Sequence, residues 1–419
     1  MIKSISLRNF KSFRELDLHL GAFNVFVGAN AAGKSNILQA VKFIRDISIH
    51  GLENAVAMHS GFKFLRNVTS GTDAEVVVEA DVQSKDHFFL PLTGNKRSAS
   101  QAFSLCRARR FTHRLVLISD GNSFEVKEDR VRCEFSVDEP HSRGERVEKG
   151  VITLTREGER VLASIDFHNK TIKTEPNFSK YMGKMEIGKR ASIAFSADPL
   201  SRISIPKGHI GSSDLAIAYY DFDPRLSKQA VRISGSSDLE ESADNLAVVI
   251  QKILSNQKQK DRLIERVRDL LPHVNGLELE HFSDSSLLMN MREQYQSSFN
   301  FPASLISNGT VSVIATLIAV LFENSRIVIM EEPERNIHPY LIERLLNTIK
   351  EASTEKQILI STHSPTVLDH CDLKDLFLVK RNDDGISCVS QPKDSEMVNA
   401  FLSDGFGVGQ LYQTKLLEL

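Results

Sequence analysis

Eight residues near the amino terminus, Gly28-Ala29-Asn30-Ala31-Ala32-Gly33-Lys34-Ser35, have the types and spacing to hold a string of phosphates. The glycines let consecutive backbone N–H groups curl around anionic oxygens, and a helix starting at the lysine turns its positive end toward them. Lys34 then supplies a cation for the β- and γ-phosphates of ATP, and the Ser35 hydroxyl suits the shell of a Mg²⁺ ion. The pattern GxxxxGK[ST] is met in full and lies between a strand-like Phe23 to Val27 and a helix-like Ser35 to Ile44, the setting it requires. Asn30, Gly33, Lys34 and Ser35 are the candidate nucleotide contacts within it. A glycine turn that merely packs a strand on a helix would not need all eight positions.

Three further groups can act on such a nucleotide. The apolar run Ile327-Val328-Ile329-Met330 ends in Glu331-Glu332, as a Walker B strand does. At such an end the first carboxylate suits the Mg²⁺ shell and the second suits polarising an attacking water, which makes Glu331 the metal candidate and Glu332 the catalytic one. Taken alone, the pair is also what a strand meeting solvent looks like. Ile358-Leu359-Ile360-Ser361-Thr362-His363 is a second buried-type strand, and its terminal His363 can donate to a γ-phosphate or be an ordinary structural histidine. Ser307-Asn308-Gly309-Thr310 precedes an apolar helix at Val311, so Ser307 and Gly309 can form an anion site of hydroxyl and N–H groups or a plain helix cap.

The elements that must position these groups are legible from periodicity. Ile5, Leu7, Phe10, Phe13, Leu16, Leu18 and Leu20 mark two strands ahead of Phe23 to Val27. Residues 73 to 175 alternate in short stretches with turn signals at Asp120-Gly121-Asn122 and Glu157-Gly158, the pattern of antiparallel β. Lys180 to Ser213 is polar and rich in Ser, Gly and Lys, hence loop. Asn245 to Leu271 has the spacing of two amphipathic helices broken near Ser255-Asn256. The reading is α/β, in four parts: an N-terminal head segment over 1–83, a β-rich insertion with loops over 84–213, a helical subdomain over 214–304 and a C-terminal head segment over 305–419.

In 419 residues, 52 Lys and Arg nearly balance 54 Asp and Glu, so a nucleic-acid binder is not announced by charge and DNA contact needs a local patch. Lys96, Arg97, Arg107, Arg109, Arg110, Arg114, Arg130 and Arg132 are the basic candidates in the insertion. Acidic residues among them favour a solvated mixed surface. The longest apolar run, Val311 to Phe322, is shorter than the ~20 residues that span a bilayer, and the chain opens on a strand rather than a leader. A cytoplasmic location without membrane contact is expected. Cys106, Cys133, Cys371 and Cys388 have no CxxC spacing, so neither zinc nor a disulfide framework is expected.

Together the motifs resemble the ABC-type P-loop ATPase heads of the RecF, SMC and OLD group, and more closely the stand-alone bacterial ATPases related to RecF. The carrying residues are Asn9 to Phe13, Gly28 to Asn36, Ile306 to Thr310, Met330-Glu331-Glu332-Pro333-Glu334-Arg335-Asn336-Ile337-His338-Pro339 and Ser361 to Pro365. Asp244-Asn245-Leu246-Ala247 also fits. About 250 residues are covered, leaving roughly 84 to 210 outside. The resemblance implies a mixed sheet, ATP and Mg²⁺ as ligands, and Asn36 beside the nucleotide. It also implies a homodimer, or a higher even oligomer, in which Ser307 and Gly309 of one copy close on the ATP of the other. Glu331 stands where Asp is usual, and only Gln83 offers itself for the Q-loop. Without a heptad run or room for the nuclease that OLD relatives carry, the expected role is a dimer switch in anti-phage defence with a separate nuclease or toxin effector. The alternatives are a RecF-like, DNA-binding repair ATPase and an ATP-binding scaffold with negligible turnover.

Overall fold

Alternation of apolar residues sets the first elements of the computed structural model. The chain runs β1 (Ile2–Phe10), β2 (Phe13–His19), β3 (Phe23–Val27), α1 (Lys34–His50), α2 (Leu52–Met58), α3 (Phe62–Leu65), β4 (Val76–Gln83), β5 (His87–Thr93), β6 (Phe103–Asp120), β7 (Ser123–Val137), β8 (Lys149–Glu157), β9 (Arg160–Phe167) and β10 (Lys173–Thr174). It continues with β11 (Ile217–Tyr220), β12 (Val231–Arg232), α4 (Leu246–Leu254), α5 (Gln257–Leu270), β13 (Val274–Ser283), β14 (Ser286–Glu293), β15 (Asn300–Pro302), α6 (Asn308–Leu321) and β16 (Ile327–Glu331). Last come α7 (Pro339–Ala352), β17 (Gln357–Thr362), α8 (Pro365–Asp369), β18 (Leu376–Arg381), β19 (Ser387–Ser390), α9 (Glu396–Ser403) and α10 (Val408–Gln413). All residues are described except 72, 94–102, 122, 138–148, 168–172, 175–186, 194–215, 234–237, 284, 297–298 and 419. Lys96, Arg97 and most of the Lys180 to Ser213 stretch lie outside the described residues.

The chain divides into two compact units, the first formed by residues 1–21, 36–216 and 381–388, the second by 22–35, 217–380 and 389–419. In the first, a large antiparallel sheet has the order β2-β1-β4-β6-β7-β8-β9, with β5 on β6 and β10 on β5. The antiparallel β expected over 73 to 175 is present. Gly121 and Gly158, with φ of 56° and 61°, turn the hairpins at the two places the turn signals marked. One side chain in two along β7 is buried, including Val131, Cys133 and Phe135, which is the period-2 signature of a sheet with one covered face.

The second unit is built on a sheet of order β11-β16-β17-β3-β18-β19. β11, β16, β17, β3 and β18 are parallel neighbours, so their carboxyl ends lie on one edge. Such strands are covered on both faces and read as unbroken apolar runs, as Phe23–Val27 and Ile327–Met330 do. α6 is buried from Thr310 through Val320, which explains its apolar character all round. Two helices break at Ser255–Asn256 as the spacing predicts, with the Asn256 side chain capping α5. The helical character expected of 214–304 holds there, but from Val274 to Pro302 the described chain forms the antiparallel strands β13 to β15, and β12 pairs with β14 from farther up the sequence. Leu277, Leu287, Met289 and Met291 bury one side of that sheet in the core of the unit. Three of the four free cysteines are buried. Among the described residues no helix is long and apolar enough to cross a membrane.

Candidate phosphate and metal site

The loop after β3 is locked by backbone geometry before any side chain is considered. Ala31 and Gly33 have φ of 62° and 115°, turning the chain back on itself, and Ala32 N–H donates to the Ala29 carbonyl at 3.2 Å. A Cβ on Gly28 would sit 2.1 Å from the Val379 carbonyl oxygen in β18, so only glycine fits there. The Lys34 ammonium donates to the carbonyls of Gly28 at 2.8 Å and Ala29 at 3.0 Å. Burial lowers its pKa, opposed by the carboxylates of Glu332, Glu331 and Glu334. Asn30 is exposed at the loop's tip. Asn36, the next residue of α1 and already in the first unit, donates to Ser12 Oγ at 2.7 Å, and Ser12 Oγ in turn accepts from Ser387 Oγ at 2.7 Å.

The metal candidates meet. Ser35 Oγ lies 2.7 Å from Glu331 Oε2 although 296 positions separate the residues in sequence. The other carboxylate oxygen of Glu331 accepts from the Tyr219 hydroxyl. Burial, and after it the Glu331 charge, push the Tyr219 phenol far above its ordinary pKa, so it stays a donor. A hydroxyl and a carboxylate are the hard oxygen ligands Mg²⁺ takes, usually one or two from protein with waters and phosphate oxygens completing an octahedron. The donor set present therefore fits that ion.

Glu332 follows at the end of β16 with φ of 44°, a left-handed turn that points it away from the direction Glu331 takes. Its N–H donates to Ser361 O at 3.0 Å. Oε1 pairs with His363 Nδ1 at 2.7 Å and Oε2 accepts from Arg335 Nε at 3.3 Å, while Arg335 also donates to Asp221 at 2.9 Å. An ionised carboxylate only accepts, so Nδ1 carries the proton in this pair. Glu334 is buried, with Oε1 accepting from Thr362 Oγ1 at 2.5 Å and Oε2 left without a partner among the described residues. Burial raises its pKa.

Ser307 caps α6: its Oγ accepts from Thr310 N–H at 3.1 Å and contacts Thr310 Oγ1 at 2.9 Å. A Cβ on Gly309 would meet the Asn336 carbonyl at 2.5 Å, so close packing already demands glycine there. The plain-cap reading thus accounts for both residues within one copy. Lys228 donates to Asn308 Oδ1 at 2.6 Å beside them. Gln83 ends β4 in the first unit, opposite Arg110.

Tyr219, Asp221 and Thr362 were not anticipated as partners of the carboxylates. The available signal was a second buried strand ending in Tyr219-Tyr220-Asp221. What it lacked was the knowledge that β11 pairs with β16, Tyr220 beside Met330.

A family model described as "AAA domain, putative AbiEii toxin, Type IV TA system" matches residues 23–369, well over half of the chain. The chain belongs to that family. The DNA replication and repair protein RecF of Lactococcus lactis subsp. lactis (strain IL1403) is 46% identical over 44 residues, 10% of this chain and 12% of that protein. The match therefore spans about an eighth of that relative's length. Among solved structures, an SMC head bound to the C-winged helix domain of ScpA is 15% identical with a TM-score of 0.47, over 93% of this chain and 97% of that one. The SMC head domain from Thermotoga maritima is 15% identical with a TM-score of 0.41, over 93% and 98%. An SMC head with an extended coiled coil, bound to the C-terminal domain of ScpA derived from Pyrococcus furiosus, is 13% identical with a TM-score of 0.46, over 96% and 99%.

Proposed function

We propose that this family member binds and hydrolyses ATP in the cytoplasm, and that nucleotide joins two copies as a switch. The observation that carries the reading is the convergence of Lys34, Ser35, Glu331, Glu332 and His363 at the carboxyl edge of β3, β16 and β17. That edge, outside the ends of parallel strands, is where open α/β sheets take ligands. Lys34 exchanges the loop carbonyls for β- and γ-phosphate oxygens, and the backbone N–H groups after Gly28 hold the same phosphates. Ser35 and Glu331 would hold Mg²⁺, which when bound neutralises charge building on the β- and γ-oxygens. Glu332 orients the attacking water and accepts its proton. To do so its carboxylate leaves the contact with Arg335, while Asp221 retains the guanidinium. With Nδ1–H held by Glu332, His363 can donate to a phosphate from Nε2 only as the doubly protonated ring.

The composite site follows from the same reading. Ser307 and Gly309 of one copy present a helix N-terminus to the ATP of the other, in addition to capping their own helix. Mixing Ser307→Arg with Lys34→Ala tests it, since one of two sites in the mixed dimer then has an intact loop and an intact cap. Each variant alone should be inactive and the mixture should regain a fraction of wild-type turnover. A Ser307→Arg variant that hydrolyses ATP at the wild-type rate would exclude the shared site.

The family's description in terms of a toxin and a Type IV TA system supports a defence setting with a separately encoded nuclease or toxin effector. The short RecF match favours the second reading, a DNA maintenance ATPase. Against it stands the pairing of Arg110, Arg114 and Arg130 of the insertion with carboxylates. Electrophoretic mobility of duplex and gapped DNA with the ATP-bound protein separates the two: affinity in the nanomolar range at physiological salt favours maintenance. A turnover number indistinguishable from that of Glu332→Gln would make the protein an ATP-binding scaffold.

A further inference from the structure

We propose that Tyr219 is the positioning residue for the metal carboxylate, matched to the presence of a glutamate rather than an aspartate at position 331. The inference rests on the reading of Ser35 and Glu331 as Mg²⁺ ligands. β11 lies parallel to β16 with Tyr219 opposite Ile329, two residues before Glu331. Side chains two apart on a strand share a face and are separated by about 6.6 Å, which is the reach of a phenol from its own Cα. Tyr219 therefore lies along the strand and delivers its hydroxyl to Glu331 Oε1, while Ser35 takes Oε2. Its ring is buried, so the hydroxyl has little freedom to go elsewhere.

A glutamate at this place needs such a contact more than an aspartate would. It carries one more methylene and one more torsion, and holding those still costs conformational entropy. A carboxylate ligand is oriented by the hydrogen bond its other oxygen makes, and loss of that outer partner typically weakens metal binding 10- to 100-fold. The Ser35 contact cannot serve, because Ser35 is itself a metal ligand in this reading. The phenol remains on the far oxygen and sets the direction in which Oε2 is offered.

The test is Tyr219→Phe in the full chain, which keeps the ring and removes only the oxygen. Mn²⁺ affinity is read by EPR titration in the presence of ATP, beside binding of ATP in EDTA. Tyr219→Phe should weaken Mn²⁺ about 10-fold or more and leave metal-free ATP binding unchanged, which also shows that the variant folds. In a Glu331→Asp background, where the shorter carboxylate is out of the phenol's reach, the same change should matter less than about 3-fold. Mn²⁺ affinity within 2-fold of wild type in Tyr219→Phe, with Glu331→Gln weakened 10-fold, overturns the role of Tyr219 and leaves the metal site standing. An equal loss in the Glu331→Asp background overturns the match to glutamate. If Glu331→Gln leaves Mn²⁺ binding unchanged, the metal site itself is misassigned and the inference goes with it.

Discussion

The charged residues of the two units are used in opposite ways. On the first unit's sheet, neighbouring charges cancel across and along the strands. Arg110 pairs with Asp81, Arg114 with Glu79 at 2.7 Å and Glu128 at 3.1 Å, Arg130 with Glu128 at 3.5 Å and Arg132 with Glu134 at 3.8 Å. Arg114 faces Arg130 directly, a repulsion that Glu128 between them offsets. In the second unit, carboxylates are gathered at strand ends faster than cations can pair them. The charges of Glu332, Glu331 and Glu334 all act on Lys34, and Glu334 keeps a buried oxygen with no partner among the described residues. Charges spread across a face with partners in register are solvated and contribute little. Those drawn together under burial carry a cost that a ligand relieves, which is the physical mark of a site.

The comparison can be broken at its strongest point first. Glu332→Gln should lower ATP turnover on the order of 1000-fold, about 4 kcal/mol of transition-state stabilisation, while ATP stays bound and the dimer persists in gel filtration. Should Glu331→Gln trap ATP instead and Glu332→Gln turn over normally, the two roles are exchanged. Lys34→Ala should weaken ATP on the order of 100-fold by calorimetry, since a charge-assisted contact to phosphate is lost. Unchanged affinity would remove the phosphate loop from the argument.

A smaller effect sits beneath the first unit's sheet. His113 is buried opposite Ala80 and Val131, and burial lowers its pKa to about 4. The folded state thus resists a proton that the unfolded chain accepts near pH 6.5, so this contribution to stability is present above that pH and fades as pH falls toward 4. Between pH 7.5 and pH 5 it amounts to roughly 2 kcal/mol. Urea unfolding should show wild type losing that much more than His113→Leu over the interval, and equal losses would refute the assignment. The smallest effect is expected on the paired face. Arg132→Ala should change stability by less than about 1 kcal/mol and leave ATP turnover unaltered. A loss of DNA binding in that variant would mean the face is a binding surface despite its pairing.

Local order made one part of the site readable. A phosphate loop is eight consecutive residues whose backbone does most of the holding, so its chemistry does not wait on distant contacts. The hairpins at Gly121 and Gly158, the break at Ser255–Asn256 and the parallel strands at Phe23–Val27 and Ile327–Met330 were likewise set by neighbours in the chain. The strands of 274–302 were not, because only packing shows that Leu277, Leu287 and Met289 share a buried side.

By itself the sequence determined that a phosphate-binding loop, two candidate carboxylates and a histidine exist, and which element each one ends. Only the tertiary structure decided that Glu331 is shared between Ser35 and Tyr219, residues 296 and 112 positions away. It also decided that Glu332 is held by His363 and Arg335, and that Arg110 and Arg114 of the insertion are paired with carboxylates of adjoining strands. The physical reason is that a backbone cradle is a property of consecutive torsions. A side chain's partner is a property of strand order and register, which no spacing along the chain records.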